Sequence, residues 1–567
     1  MDVLRSTRRA AVAGLSLGLF FFATGSMAQS LGGAWGPPES SVKATVRPLS
    51  LESALSVAPL HVLRGAEEDA RGELDALAAW NAAHKLPAKN GFARPLPQPL
   101  AVRLTPSLSG HGAAIPFAGG LLTDADPGSL TWGTHVRIAG AYRVRLHLTD
   151  VHLPAGTRLA VSTPGGEPEW FGLELLSPRG DLWTPSARGE ALELEVQVPV
   201  VALGRSPAGF DLREAMEIVS LDPQSSGQSS GSFGGMLKAD TSCLVDATCK
   251  GNGDLSNIDS YRHAVAQLIF VEPGQGSFLC TGSLLNDQAH DSTPYLLTAN
   301  HCISDQATAS SLQAFFDYDT ATCDGTSPLE RRLPHANGAT LLAHGSAGSG
   351  SSDFSFLRLS SLPGGRYFLG WNADARALRD GTPLFRLSHP APEGFPRALS
   401  FTQYTNDPGF NPCDGITAPQ FVYTHVVNGA TAGGSSGSAL LLGNGQVVGQ
   451  LGGACGVNPN DICSPDNDDF DGAFAVTYPK VQQWLGSPSA PGTTTVTGAI
   501  TAIQSSTRFI TVLVGSTPLS VSANGARITL RNRAVPFTTL KAGMQVTVTY
   551  KVVRRVNIAQ LVVITPS

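Results

Sequence analysis

In two long stretches of the chain, about 95–220 and the tail after 496, apolar residues recur at every second position. The alternation is clearest within 95–220: Val136 and Ile138, then Tyr142, Val144, Leu146 and Leu148, then Leu192, Leu194, Val196 and Val198. Period two interrupted by Gly and Pro turns marks half-buried antiparallel strands, so this stretch predicts a β-domain. One run departs from it. Residues 66–85 place Leu74, Leu77, Ala78 and Trp80 at helical spacing behind acidic residues, which predicts an amphipathic helix. Short strands are predicted at 264–271, 295–299, 354–359 and 446–451, followed by a short closing helix at 481–485. After 496 the alternation returns, with Phe509, Ile510 and Val512 among its positions, and predicts a small β-barrel or β-sandwich. Polar Gly/Ser/Pro stretches at 224–235 and 487–495 read as linkers, and 29–62 reads as loosely ordered. The fold class is therefore all-β dominated.

Length sharpens this into several units. A chain of 567 residues exceeds one ordinary core, and about three or four domains are expected. Charged residues make up 15%, which suits turn-rich β-structure, and a net charge of −6 gives no electrostatic case for nucleic acid or an anionic membrane. The start of the chain speaks for export. Arg5, Arg8 and Arg9 precede an apolar run at 10–24, and Ser26-Met27-Ala28 supplies a small-residue cleavage site, so 1–28 reads as a secretory signal too short for a membrane span. Ala10-Ala11-Val12 after Arg8-Arg9 argues against a twin-arginine route. All eight cysteines lie between Cys243 and Cys463 with no CxxC pair, which favours disulfides over zinc. The expected product is a soluble secreted protein with no membrane segment in its mature form.

Candidate chemistry lies between 243 and 485. Gly433-Gly434-Ser435-Ser436-Gly437-Ser438 precedes an apolar strand, and glycines around a serine allow a tight turn and a close substrate approach. Upstream, the apolar strand at 295–299 ends in Asn300-His301-Cys302, and Ser351-Ser352-Asp353 opens another apolar strand. The chain order is His, Asp, Ser, the order of the chymotrypsin-type triad. With CTGSLLN (280–286), YLLTANHC, SSDFSFLRL, GWN (370–372), SHP (388–390), GGSSGSA and VVGQLGG (447–453), the segment resembles the bacterial lysyl endopeptidase branch of the trypsin-like serine proteases.

That resemblance implies a chymotrypsin-like double β-barrel over 239–486. In it His301 is the general base, Asp353 its orienting carboxylate and Ser436 the nucleophile, with the N–H groups of Gly434 and Ser436 forming an oxyanion hole. His263, His389 and His425 read as structural. The resemblance also implies that 29–238 is a β-rich propeptide acting as intramolecular chaperone and inhibitor, cut at Lys238-Ala239. It implies the disulfides Cys280–Cys302 and Cys249–Cys323. Cys243, Cys413, Cys455 and Cys463 are left with three connectivities.

Ser435 stands where many relatives have an aspartate that pairs with a new N-terminus, so activation is expected to depend on propeptide removal. Ala430 stands where trypsin-like enzymes often place the pocket aspartate. The lysyl branch takes that aspartate from a later loop, here 466–472, and Asp469 and Asp471 both qualify. A calcium reading of the loop fails, because an EF-type register puts Tyr478 where a glutamate belongs. The expected activity is peptide-bond hydrolysis after Lys or Arg through an acyl-enzyme, by a monomer without cofactor or metal. Alternatives are the same machinery with another specificity, or a silent protease-like binding protein. The tail's Arg531, Arg533, Lys551, Arg554 and Arg555 read as a solvated face.

Overall fold

The computed structural model describes residues 49–55, 60–66, 72–84, 87–110, 112–205, 208–219, 240–249, 255, 257–325, 333–392, 397–408, 420–456, 461–486, 493–515, 517–531, 533–553 and 556–565. The signal at 1–28, the linker at 224–235 and the Lys238-Ala239 bond lie outside them.

The N-terminal unit has a helical turn at Glu52–Leu55 within the stretch read as loosely ordered and a strand at His61–Leu63 at its end, then helix α1, Gly72–His84, with Leu74 and Leu77 buried. Its strands include β1 (Ala88–Leu104), β2 (Ser129–Ile138), β3 (Arg143–His152), β4 (Ala191–Pro199) and β5 (Ala208–Ile218). One sheet is built around β2 and β4, and a second runs β3-β5-β1. Their facing side chains, among them Trp132, Leu146, Leu194 and Phe210, form one apolar core. Strand β1 begins earlier than 95 and survives three prolines. The ladder steps over two of them: Leu212 pairs with Leu100 and Glu214 with Pro95, so 96–99, with Pro97 and Pro99, bulge out where proline would leave a donor missing.

The middle unit, which carries the candidate triad, holds β6 (Val265–Glu272), β7 (Gly276–Leu285), β8 (Tyr295–Ala299), β9 (Gln313–Phe316), β10 (His335–Asn337) and β11 (Phe354–Leu359) in its first half. The second half holds β12 (Pro383–Ser388), β13 (Ser400–Asn406), β14 (Phe421–Asn428), β15 (Ala439–Leu442), β16 (Gln446–Gly456) and β17 (Asn467–Ala473). These run β13-β12-β15-β16-β17-β14, and β13 also pairs with β14, closing a six-stranded barrel. Helix α2, Phe474–Leu485, is longer than 481–485 and holds Pro479 within it. Phe474, Tyr478, Val481 and Leu485 form a buried stripe, and Tyr478 stacks on Trp371, so packing outweighs the hydrogen bond that proline removes.

The first two units share one sheet. Strand β1 adds to β7, pairing Gly91 with Ser277, Lys89 with Phe278 and Ala88 with Leu279. Around that seam Arg145 donates to the Ser311 carbonyl at 2.8 Å, Ser186 N–H to Gln313 at 3.1 Å, and Glu169 accepts from His335 and Asn337 at 2.8 and 2.6 Å. Trp183, Met216 and Ile218 from one side pack with Ile269, Leu279 and Phe315 from the other. Among the described residues, the C-terminal strands, from 493 onward, pair with one another and with no other strand.

Candidate active site

Strand register places the first two groups. Ala299 of β8 lies opposite Phe354 of β11, so His301, two residues beyond, and Asp353, one residue before, leave the same end of the ladder. His301 Nδ1 is 2.6 Å from Asp353 Oδ2, and the His301 backbone N–H donates to Asp353 Oδ1 at 3.1 Å. Asp353 is buried, with a φ of +50° in the left-handed region, and its carbonyl accepts from Asn300 at 3.1 Å. Backbone held this way is characteristic of positions where function fixes the geometry.

The serine loop comes from the second barrel and is anchored to the first. Thr281 of β7 donates its N–H to the Ser436 carbonyl and its hydroxyl to the Gly434 carbonyl, each at 2.8 Å. Gly437 has a φ of +79°, and a Cβ there would lie 2.5 Å from the Ala299 nitrogen, so glycine is required for the loop to reach the end of β8. Ser436 Oγ and His301 Nε2 are buried atoms without a hydrogen-bond partner. His301, Asp353 and Ser436 thus gather at the junction of the barrels, held by β7, β8 and β11.

Three disulfides are described: Cys280–Cys302, which ties β7 to the residue after His301, Cys249–Cys323, and Cys243–Cys463. Cys455 is also disulfide-bonded, and Cys413 lies outside the described residues. His301 comes close to Cys280 and Cys302, but those sulfurs are bonded to each other and offer no thiolate to a metal.

The two pocket carboxylates occupy different surroundings. Asp471 is committed to Arg386, which meets both its oxygens at 2.9 and 2.8 Å with both side chains fully buried. Burial opposes the Arg386 charge, but Asp471, Tyr404 and Asp469 outweigh it and raise its pKa. Arg386 also donates to the Ser438 carbonyl and to Tyr404. Asp469 has no such cation bound to it. Its oxygens accept from Tyr404 at 2.7 Å and from Thr431, five residues before Ser436, at 3.0 and 3.1 Å. Burial pushes its carboxyl above the ordinary range against the pull of Arg386. Tyr404 and Arg386 carry no local sequence signal, because the aspartates they meet lie 65 and 85 residues away in the chain.

The other histidines have structural settings. His263 pairs with Asp317 at 2.7 Å and His425 with Asp468 at 2.9 Å. His389 is stacked with Tyr318, and burial pushes its pKa down to about 3, so it is a neutral ring.

Residues 237–470 match the family model described as lysyl endopeptidase, C-terminal domain. A curated lysyl endopeptidase of Pseudomonas aeruginosa is 28% identical over 350 residues, spanning 60% of this chain and 71% of the relative. Among solved structures, a scabies mite inactivated protease paralogue is 15% identical, over 40% of this chain and 94% of its own, with a TM-score of 0.30. Rv3671c of Mycobacterium tuberculosis, in an inactive form, is 15% identical over 41% and 92%, with a TM-score of 0.26.

Proposed function

We propose that this chain, a lysyl endopeptidase-like serine endopeptidase, cleaves peptide bonds after lysine through an acyl-enzyme and is exported as a precursor. The observation that carries the catalytic part is the His301–Asp353 contact with an unpartnered imidazole Nε2 and an unpartnered Ser436 Oγ at the same junction. In this reading His301 takes the Ser436 proton during attack on the scissile carbonyl, while Asp353 fixes the tautomer and stabilises the imidazolium. The N–H groups of Gly434 and Ser436 face the developing oxyanion, each worth roughly 3 to 4 kcal/mol of barrier. The proton then passes to the leaving amine, and water repeats the sequence on the ester.

Asp469 is the pocket carboxylate of this reading. It is buried beside Thr431, in the segment leading to the nucleophile, and its Oδ1 accepts only from Thr431 among the described contacts, leaving acceptor capacity for a lysine ammonium.

The N-terminal unit is the propeptide of this reading. Its support is the shared sheet. One edge of β7 carries, in order, β1 at 277–279, the Ser436 carbonyl at 281 and β8 at 283–285. A strand laid beside the nucleophile loop occupies room that an extended substrate needs, and it fixes the edge from which His301 and Ser436 are positioned. The test is turnover of peptides ending in Lys, Arg, Glu or Phe by wild type and Ser436→Ala. A wild type active on Lys peptides, with a variant about 10⁶-fold slower, is expected. Equal turnover by the two overturns the catalytic assignment.

A further inference from the structure

The C-terminal unit has a charge and a topology that the protease reading leaves unused. Residues 487–567 contain eight Lys or Arg and no Asp or Glu, whereas the preceding 486 residues hold 31 basic and 45 acidic side chains. Its strands are β18 (Thr493–Gln504), β19 (Phe509–Val514), β20 (Thr517–Ser522), β21 (Arg527–Leu530), β22 (Gln545–Val553) and β23 (Val556–Ile564). They run β18-β19-β20-β23-β22 and back to β18, with β20 and β23 parallel, around a core of Ile500, Ile510, Val512, Val548 and Val562. This closed five-stranded order is that of the OB barrel, a scaffold used for extended oligonucleotide and oligosaccharide chains.

We propose that this barrel binds an anionic polysaccharide. Arg508, Arg527 and Lys551 are exposed and come from separate segments to one seam. The Arg508 carbonyl accepts from Ala523 at 2.8 Å, and Phe509 pairs with Ser522. Ser522 pairs with Ile558, which pairs with Lys551 on its other side. Arg527 begins the strand that follows the 523–526 turn. With strands about 4.8 Å apart, Arg508 and Lys551 stand on the order of 15 Å from each other, a span that several charged sugar residues bridge. With no acidic side chain in 487–567, none of these cations is neutralised from within its own barrel. A fully solvated face of mixed charge would carry acids among its bases, and this one carries none.

The surface beside the cations selects the ligand. Outward from β22, Thr547 and Thr549 lead to Lys551, and they meet Thr497 and Thr495 of β18 in hydroxyl pairs of 2.9 and 2.8 Å. Hydroxyls beside guanidinium and ammonium groups suit polyols bearing carboxylate or sulfate. Binding of single-stranded nucleic acid relies on exposed aromatic platforms. Here Tyr550 points inward, the Phe537 ring lies beneath Arg508, and no tryptophan occurs after Trp484.

The test uses the full chain carrying Ser436→Ala to prevent self-digestion. Labelled heparin oligosaccharide and polygalacturonate are titrated at low and moderate salt, with oligo-dT alongside. Saturable, salt-sensitive binding to one or both polysaccharides is expected. Arg508→Ser/Arg527→Ser/Lys551→Ser weakens it about tenfold or more, whereas Arg358→Ser/Arg376→Ser/Arg379→Ser on the catalytic unit leaves it within twofold. Equal weakening by both triple variants, absence of binding to either polysaccharide, or tighter binding of oligo-dT overturns the proposal.

Discussion

Replacing Asp469 by Asn tests the specificity pocket without changing its shape. Asn keeps an oxygen for the Tyr404 hydroxyl and for Thr431, so the contacts that hold the side chain persist and only the charge is lost. The magnitude follows from burial. Asp469 is 2% exposed, and a lysine ammonium brought beside it exchanges water for this carboxylate and little else. Leaving a buried charge without its partner costs about 3 to 5 kcal/mol. At about 1.4 kcal/mol per factor of ten, the loss in kcat/KM for a Lys peptide runs from about 10²-fold to about 4 × 10³-fold. A Met peptide of similar length changes less than about tenfold, because its side chain brings no charge to be compensated.

The assay is kcat/KM for peptidyl-Lys, peptidyl-Arg and peptidyl-Met amides on wild type, Asp469→Asn and Tyr404→Phe. Tyr404→Phe removes one hydroxyl donor from the carboxylate and is expected to lower Lys turnover about fivefold, in line with about 1 kcal/mol for a single hydrogen bond. The pH profile gives an independent reading. The Asp469 carboxyl titrates above the ordinary value of 3.8, so as pH falls it loses its charge sooner than an exposed aspartate would. Lys turnover should therefore fall more steeply on the acid side than Met turnover. An unchanged Lys-to-Met ratio in Asp469→Asn would refute the pocket assignment.

Asp353→Asn should lower kcat about 10⁴-fold with little change in KM, measured by steady-state peptide hydrolysis, because the ring is then held in the wrong tautomer. Gly91→Val should reduce the yield of active enzyme but not the activity per titrated active site. A Cβ at position 91 would meet the Glu217 carbonyl at 2.6 Å and Ser277 Cβ at 2.9 Å, levering β1 from β7. Contact between the N-terminal and catalytic units should weaken at alkaline pH, read by co-elution of the cut segments in gel filtration. The ring of His335 loses charge stability to burial but gains more from Glu169, so its pKa is raised above 6.5, and the pair's contribution is lost as pH rises through that raised value. Glu169, opposed by burial but held by His335, Asn337 and Arg143, is lowered below 4.5, so its contribution is lost only as pH falls through that lowered value. The contact is strongest between about 4.5 and 6.5.

The candidate triad was legible because each member sits in a short stretch with its own local requirement: an apolar strand ending at His301, another opening at Asp353, and glycines around Ser436. The Ala299–Phe354 register that joins the first two is a nonlocal pairing, and no residue near either end announces it. The pocket shows the limit. Asp469 and Asp471 are two apart on one strand and both point inward, so alternation treats them alike. Arg386, 85 residues earlier, separates them by taking Asp471. Strand β1 starts at Ala88, ahead of the alternation that stands out within 95–220, and the bulge opposite Leu212 and Glu214 takes Pro97 and Pro99 out of the ladder. In the tail, period two revealed the strands but not their closure. The charge imbalance was visible all along; its significance appears once Arg508 and Lys551 are found on linked strands of one barrel.

Strand β7 explains why the N-terminal unit and the catalytic chemistry are coupled. Because side chains alternate, a slip of one residue in the β7 register would turn Thr281 away from the Ser436 loop and reverse the faces of Cys280 and Leu284. The β6–β7 ladder specifies that register along one edge. The other edge has β8 only at 283–285, leaving the 277–281 segment dependent on β1 and on the serine loop, which arrives from a barrel formed later in the sequence. A nonlocal β-fold closes slowly, since loop entropy is spent before distant contacts form. Strand β1 supplies the missing neighbour from the side already synthesised. On the proposed propeptide reading, the same geometry would give both inhibition and release. With β1 in place the edge leading to Ser436 is filled; its removal would leave three residues of unpaired backbone next to the proposed nucleophile, open to the extended chain of a substrate.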